Sequence, residues 1–455
     1  MPALNIWSGL RINLAIAENS LMQQVVADYL NENLRLQTKQ LTYGDGTSGS
    51  HRLKTNLATF VNDYFHPVKE VAANQIIIST GVGGSIDQIS WGLCNEGDGI
   101  LVGKPVYSGF IQGMEKPQEN EWLWFLIDCR ANAAPVSFGD INPFSVEALQ
   151  CYERELVDFN QRNPGVQIRA LLLANPHNPL GKCYPREVLI EYLKFCECHD
   201  IHLIIDEIYA MSIFKTSSNQ DATEFHSILS IDIDRFANPL RVHVLYGMSK
   251  DFSSNGLRLG IVISRNPDLI AAMSTITVFS WPSAPADLAW CIMLEDRTFL
   301  KYYISEHQKR LGQGYEFLAG ILDNFGIDYV RGSNAGFFIW ADFSFALEKP
   351  TDGGDPGLEE DMKLDERIIK CGVHLAAGFG YLAEKPGWFR ITFSQPRPLL
   401  LLGIAKMMKL LKGVDIHIDL ADTNIVDPQK NIPADSTYSS LRSSPEPICT
   451  RKYSV

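Results

Sequence analysis

Little in this chain marks it for a membrane, a nucleic acid or a metal. No uninterrupted apolar run reaches the ~20 residues that a spanning helix requires. The nearest approach, 399–411, is broken by Lys406 and Lys409 at helical spacing and reads as an amphipathic helix packed on the body. Basic residues are outnumbered, 40 Lys and Arg against 53 Asp and Glu, and the net charge of −13 argues against a nucleic-acid or anionic-membrane partner. The nine cysteines are scattered and odd in number, so reduced thiols are expected rather than a disulfide framework. Cys196-Glu197-Cys198 lacks both the spacing and the second pair of a zinc site. Residues 1–7 lack a basic start followed by an apolar core, so a cytoplasmic protein is expected. No internal repeat is evident.

What is present is an ordinary globular composition. Hydrophobic residues make up 45% and charged residues 20% of 455 positions, enough chain for two domains or for one large domain with an appended one. The β-branched run with Val242, Val244 and Leu245 predicts a buried strand, followed by Ser249-Lys250-Asp251-Phe252 and then Gly256-Leu257-Arg258-Leu259-Gly260. Most lysines lie on the surface. One placed just past a buried strand loses hydration, which lowers its pKa and makes its neutral amine a nucleophile for aldehydes.

Other segments add to that lysine. Residues 75–79 read as a strand running into Thr80-Gly81-Val82-Gly83-Gly84-Ser85 and a helix. Strand, glycine turn and helix start make a cradle for phosphate, because backbone N–H groups and the helix dipole both favour an anion. Residues 168–173 read as a strand ending in Asn175-Pro176-His177-Asn178-Pro179-Leu180-Gly181, whose prolines fix a loop. Residues 201–205 read as a strand ending at Asp206, with Tyr209 three positions on. A carboxylate there is costly unless it is paired. Residues 20–36 have helical spacing with Ser20 as the expected cap, and 349–361, rich in Gly, Pro and acids, reads as an exposed insertion.

In this order the motifs resemble the class I/II pyridoxal-phosphate-dependent aminotransferases. The Ser-Lys-Asp-Phe-x-x-x-Gly-Leu-Arg-x-Gly run looks most like the aminocyclopropane-carboxylate-synthase-like branch and its fungal members. The resemblance spans roughly 10–412. It implies an α/β protein of fold type I: a three-layer αβα large domain with a mostly parallel seven-stranded sheet, plus a smaller α+β domain. The implied division is 1–45 joining the small domain, 46–300 as the cofactor-binding domain, 301–413 as the small domain and 414–455 as a disordered tail.

The resemblance also implies roles. Lys250 would hold pyridoxal phosphate and remove the substrate's α-proton. Asp206 would face the pyridine nitrogen, Tyr107 would stack on the ring, and Asn178 and Tyr209 would reach its phenolic oxygen. Arg258, Ser249 and the backbone at Val82 and Gly83 would hold the phosphate. Arg390, in Gly387-Trp388-Phe389-Arg390, would bind the substrate α-carboxylate. Glu18, in Ala17-Glu18-Asn19, lies on the substrate side in the family, with a capping or solvated carboxylate as the competing reading. Tyr43 is the candidate for a tyrosine that reaches the neighbouring subunit's phosphate, and an ordinary loop tyrosine competes. His177 reads as a spacer. Two positions depart from the family: Gly83 stands where a threonine is frequent, and Gly247 where a serine often holds phosphate. The implied function is α-proton abstraction from an L-amino acid in a homodimer with shared sites. Transamination ranks first, in a context that includes specialised metabolism. Carbon–sulfur lysis of cysteine-type adducts follows, and then cyclopropane formation. A pyridoxal-phosphate-binding regulatory module is the non-enzyme alternative.

Overall fold

A computed structural model describes residues 11–112, 131–350 and 354–416. The expected tail, 414–455, lies outside them from residue 417 onward. The chain opens with β1 (Ile12–Asn13), α1 (Ser20–Asn33), α2 (His51–Tyr64), β2 (Ile76–Ser79), α3 (Gly81–Leu93), β3 (Gly99–Gly103) and α4 (Ser108–Gln112). There follow β4 (Asn132–Val136), α5 (Leu149–Arg162), β5 (Ile168–Ala174), α6 (Arg186–Cys198), β6 (His202–Asp206), β7 (Val242–Gly247), α7 (Met248–Asp251) and β8 (Gly260–Ser264). The remainder is α8 (Pro267–Ile276), α9 (Ala284–Glu295), α10 (Arg297–Asn324), β9 (Phe338–Asp342), α11 (Leu358–Lys370), β10 (Val373–His374), β11 (Ala376–Ala377), β12 (Trp388–Thr392) and α12 (Arg397–Lys412).

Among the described residues the main sheet has seven strands in the order β2-β8-β7-β6-β5-β3-β4. Only β8 runs against its neighbours. The central strands are buried on both faces, as expected of strands covered by helices on each side. Because β3, β5, β6 and β7 are parallel, their carboxyl ends share one edge. There β3 runs into Tyr107, β5 into Asn178, β6 ends at Asp206 and β7 leads into α7 with Lys250. Ligands bind open α/β sheets along such an edge.

A second core gathers around a three-stranded antiparallel sheet, β11-β12-β9, and a two-stranded parallel pair, β1-β10. The 28-residue α10 joins the cores. Phe299, Leu300, Tyr303 and Ile304 pack into the first, whereas Leu311, Tyr315, Leu318 and Leu322 pack into the second. The division expected at 300–301 falls inside this helix.

Two local expectations are corrected. Asn19, not Ser20, caps α1: its Oδ1 accepts from the Leu21 N–H, and Ser20 is the first helical residue. Segment 349–361 is not wholly an exposed insertion, because α11 begins at Leu358 and Glu360 and Asp361 are buried. Asp361 turns inward to accept the Gly387 N–H at 3.0 Å, which anchors the turn before β12.

Candidate active site

Lys250 sits in the single turn of α7, where the chain leaves the centre of the sheet. Its Nζ donates to the Ala17 carbonyl at 2.7 Å. Burial pulls its pKa down to about 8. The Arg390 charge pulls the same way, Glu18 opposes it, Arg258 lowers it again and Asp206 raises it. One amine therefore feels four of the charged residues singled out from sequence.

Asp206 is buried at the end of β6 and accepts the Ile208 N–H at 3.0 Å. Among the described residues no cation forms an ion pair with it. Burial raises its pKa to about 7, against the pull of the Ile208 N–H and of Lys250. Such a carboxylate can accept from a protonated ring nitrogen. Tyr209 is buried edge-on to Phe337 and Phe338. Tyr107 is 38% exposed, so its ring remains open to a flat partner.

Arg258 lies in the left-handed region (φ 55°), and its Nη1 donates to the Asn255 carbonyl at 2.7 Å. Its guanidinium borders the start of α3, since a Cβ on Gly81 would lie 2.6 Å from Nη2. A cation at the positive end of a helix is unfavourable unless an anion lies between them. Nothing stands within 4 Å of a Cβ on Gly83, so the cradle opens there. Ser249 is half-buried beside Lys250. The glycine at 247 has a physical reason: a Cβ there would lie 2.7 Å from the Leu259 carbonyl, which leaves no room for a serine.

Arg390 is 3% exposed in β12. Its Nη1 donates to Asn178 Oδ1 at 2.8 Å and its Nη2 to the Ala15 carbonyl at 2.6 Å. Its Nε has no partner, and the guanidinium lies 4.8 Å from the centroid of Phe338 and 5.2 Å from that of Tyr381. Among the described residues no carboxylate pairs with it. A buried guanidinium without a counter-ion is suited to a carboxylate brought in by a ligand.

Glu18 is half-buried and accepts from Asn255 Nδ2 at 2.6 Å. Tyr43 stands apart. It is 83% exposed and stacks on Trp281 with ring centroids 5.2 Å apart, with no contact to the Lys250 cluster among the described residues. His177 is buried against Phe144, in keeping with a spacer. Sequence reasoning missed the Ala15 and Ala17 carbonyls as contacts of Arg390 and Lys250. Their one signal was the position of Ala17-Glu18-Asn19.

A model of the family described as aminotransferase class I and II matches residues 11–399. The chain belongs to that family. Its members depend on pyridoxal phosphate, which is the cofactor of this chain, and they act on amino acids and are typically dimeric. Relatives include the probable aminotransferase gliI of Aspergillus fumigatus, 30% identical over 406 residues, covering 88% of this chain and 89% of that protein. The human 1-aminocyclopropane-1-carboxylate synthase-like protein 1 is 29% identical over 407 residues, covering 88% of this chain and 76% of that protein. Among solved structures, the aromatic aminotransferase from Pyrococcus horikoshii OT3 superposes with a TM-score of 0.67 at 20% identity, covering 89% of this chain and 96% of that one. Among the described residues no helix is long and apolar enough to cross a membrane.

Proposed function

We propose that this family member is an aminotransferase of L-amino acids, with Lys250 as the residue that holds pyridoxal phosphate. The observation that carries the reading is Arg390. It is a buried guanidinium with no counter-ion among the described residues, and its charge acts on Lys250, the desolvated amine. An α-amino acid brings a carboxylate and an α-proton, and the pair suits both. Arg390 anchors the carboxylate and Lys250, as a neutral amine, takes the proton. Arg258, the N–H groups of Val82 and Gly83, and Ser249 would hold the cofactor's phosphate. Asp206 would serve its ring nitrogen, Tyr107 its ring, and Asn178 and Tyr209 its phenolic oxygen. When bound, pyridoxal phosphate supplies an electron sink for the charge left after proton removal. Glu18 holds Asn255 on the substrate side of Lys250.

The protein acts as a homodimer in this reading. Leu41, Tyr43 and Phe279 are 78%, 83% and 89% exposed, an apolar surface of the kind that partners cover. Tyr43 then serves the phosphate site of the second copy.

The test is spectral and chemical. Purified protein reconstituted with pyridoxal phosphate is expected to show a visible band that Lys250→Ala abolishes. Incubation with L-amino acids and a 2-oxo acid acceptor is expected to yield the exchanged 2-oxo acid. Pyruvate and ammonia from a cysteine conjugate, or a cyclopropane from a sulfonium amino acid, would replace transamination with one of the other chemistries. A colourless protein that cannot be reconstituted would sink the enzyme reading.

A further inference from the structure

Helix α10 buries an imidazole, His307, where its contacts pass from one core to the other. The hydrogen bonds around it fix its tautomer. Asn19 Oδ1 accepts the Leu21 N–H at 3.1 Å, so its Nδ2 is the atom that faces His307 Nδ1 at 2.9 Å. Nδ1 is therefore an acceptor, and the single ring proton lies on Nε2. Nε2 donates to Ser212 Oγ at 3.0 Å, and that hydroxyl donates to Asp251 Oδ1 at 2.6 Å. Asp251 Oδ2 accepts the Met211 N–H at 2.8 Å. Asn19, His307, Ser212 and Asp251 are all buried, and every bond in the chain runs directly between side chains and in one direction.

The two ends of this chain bracket one contact. Asp251 follows Lys250 in sequence, and Asn19 stands two residues after Ala17, whose carbonyl accepts from Lys250 Nζ at 2.7 Å. We infer that His307 is a positioning residue for Lys250, holding the Ala17 carbonyl and the lysine-bearing turn in register through Asn19, Ser212 and Asp251. Burial keeps the imidazole neutral, pushing its pKa down to about 3, as the chain requires: a second ring proton would set N–H against the Asn19 N–H. A carbonyl acceptor favours the ammonium form of Lys250 and aims its Nζ. Without the chain the carbonyl drifts, and the lysine loses that support. The inference rests on Lys250 being the reactive amine and not on which reaction follows.

The test uses apo-protein and reads pyridoxal phosphate capture rather than turnover. The rate of appearance of the visible band is followed against pH, and borohydride trapping with peptide mapping locates the modified lysine. His307→Phe and Ser212→Ala are each expected to lower the pH midpoint of capture by about half to one unit, roughly half the worth of one hydrogen bond to a charged group, because the Ala17 carbonyl is displaced rather than removed. His307→Gln, which keeps an N–H toward Ser212, is expected to lie nearer the wild-type midpoint. An unchanged midpoint in His307→Phe, with only a lower melting temperature, overturns the inference. If His307→Phe does not fold, Ser212→Ala removes one oxygen from the chain and decides by the same readout. Wild-type protein that traps no pyridoxal phosphate at position 250 overturns the underlying reading instead.

Discussion

Among the described residues, Lys250, Asp206 and Arg390 lose hydration without the ion pairs that such groups usually require. For Asp206 the sign of the consequence can be worked out. Its folded pKa, about 7, lies above the usual 3.8, so burying this carboxyl costs stability above pH 3.8, where the unfolded chain ionises it, increasingly as pH rises toward 7. Asp206→Asn is therefore expected to stabilise the apo-protein at pH 8 by ~1–3 kcal/mol. The gain should shrink toward pH 5, where the wild-type carboxyl is protonated in the folded state. Thermal melts of the two apo-proteins at both pH values check it; a destabilised variant at pH 8 would show that Asp206 has a partner. Arg390→Gln should raise KM for the amino acid by about 100-fold or more, since a buried charged hydrogen bond is worth ~2–5 kcal/mol. Its melting temperature should change little, because removing a buried charge offsets the loss of the donors to Asn178 Oδ1 and the Ala15 carbonyl. Steady-state kinetics together with a melt separates the two effects.

At the scale of elements, the cradle at the start of α3 depends on close backbone approach. A Cβ on Gly260 would lie 2.3 Å from the Gly81 carbonyl carbon and 2.4 Å from the Val82 nitrogen. Both are backbone atoms and cannot swing away. Gly260→Ala is therefore expected to displace the helix start, weakening pyridoxal phosphate binding at least ~10-fold and costing ~2 kcal/mol or more of stability. A titration of the visible band and a denaturant melt measure the two effects, and near-native values for both would mean that the cradle is not rigid. The glycine turn, the buried strands and the loops at their carboxyl ends were legible in the sequence, because a buried parallel strand leaves an unbroken apolar run and a phosphate turn leaves glycines. Lys250, Asp206, Asn178 and Arg390 were singled out by motif, and the structure joins Arg390 to Asn178 and sets its charge on Lys250. The contacts at Ala15 and Ala17 were not, because a carbonyl acceptor leaves no mark on residue type. Nor was the start of α11: acidic residues near a helix N-terminus resemble those of a polar loop until Asp361 is seen to accept the Gly387 N–H. The Asn19 cap was hidden by the serine beside it, which is an equally good capping type.

For the whole molecule, the open question is why Tyr43 lies so far into solvent, stacked on Trp281 and away from the cluster at Lys250. If Tyr43 serves the second copy, each site draws Arg390 from one chain and Tyr43 from the other. Tyr43→Ala and Arg390→Gln homodimers should then each be weak. Mixing the two subunits and allowing exchange gives one site with both natural residues in every hybrid, alongside one site with neither. With random exchange half the dimers are hybrids, so activity should recover to about a quarter of wild type. If Tyr43 acted on its own chain's site, every site in the hybrid would carry one of the two substitutions, and mixing would restore nothing. An affinity tag on one of the two subunits, with co-purification of the untagged one, confirms that exchange has occurred, so a lack of recovery would count against the shared site rather than against the mixing. Replacing Phe279 with Asp provides the complementary result: a charge buried by dimerisation should dissociate the protein at micromolar concentration and remove the recovery with it.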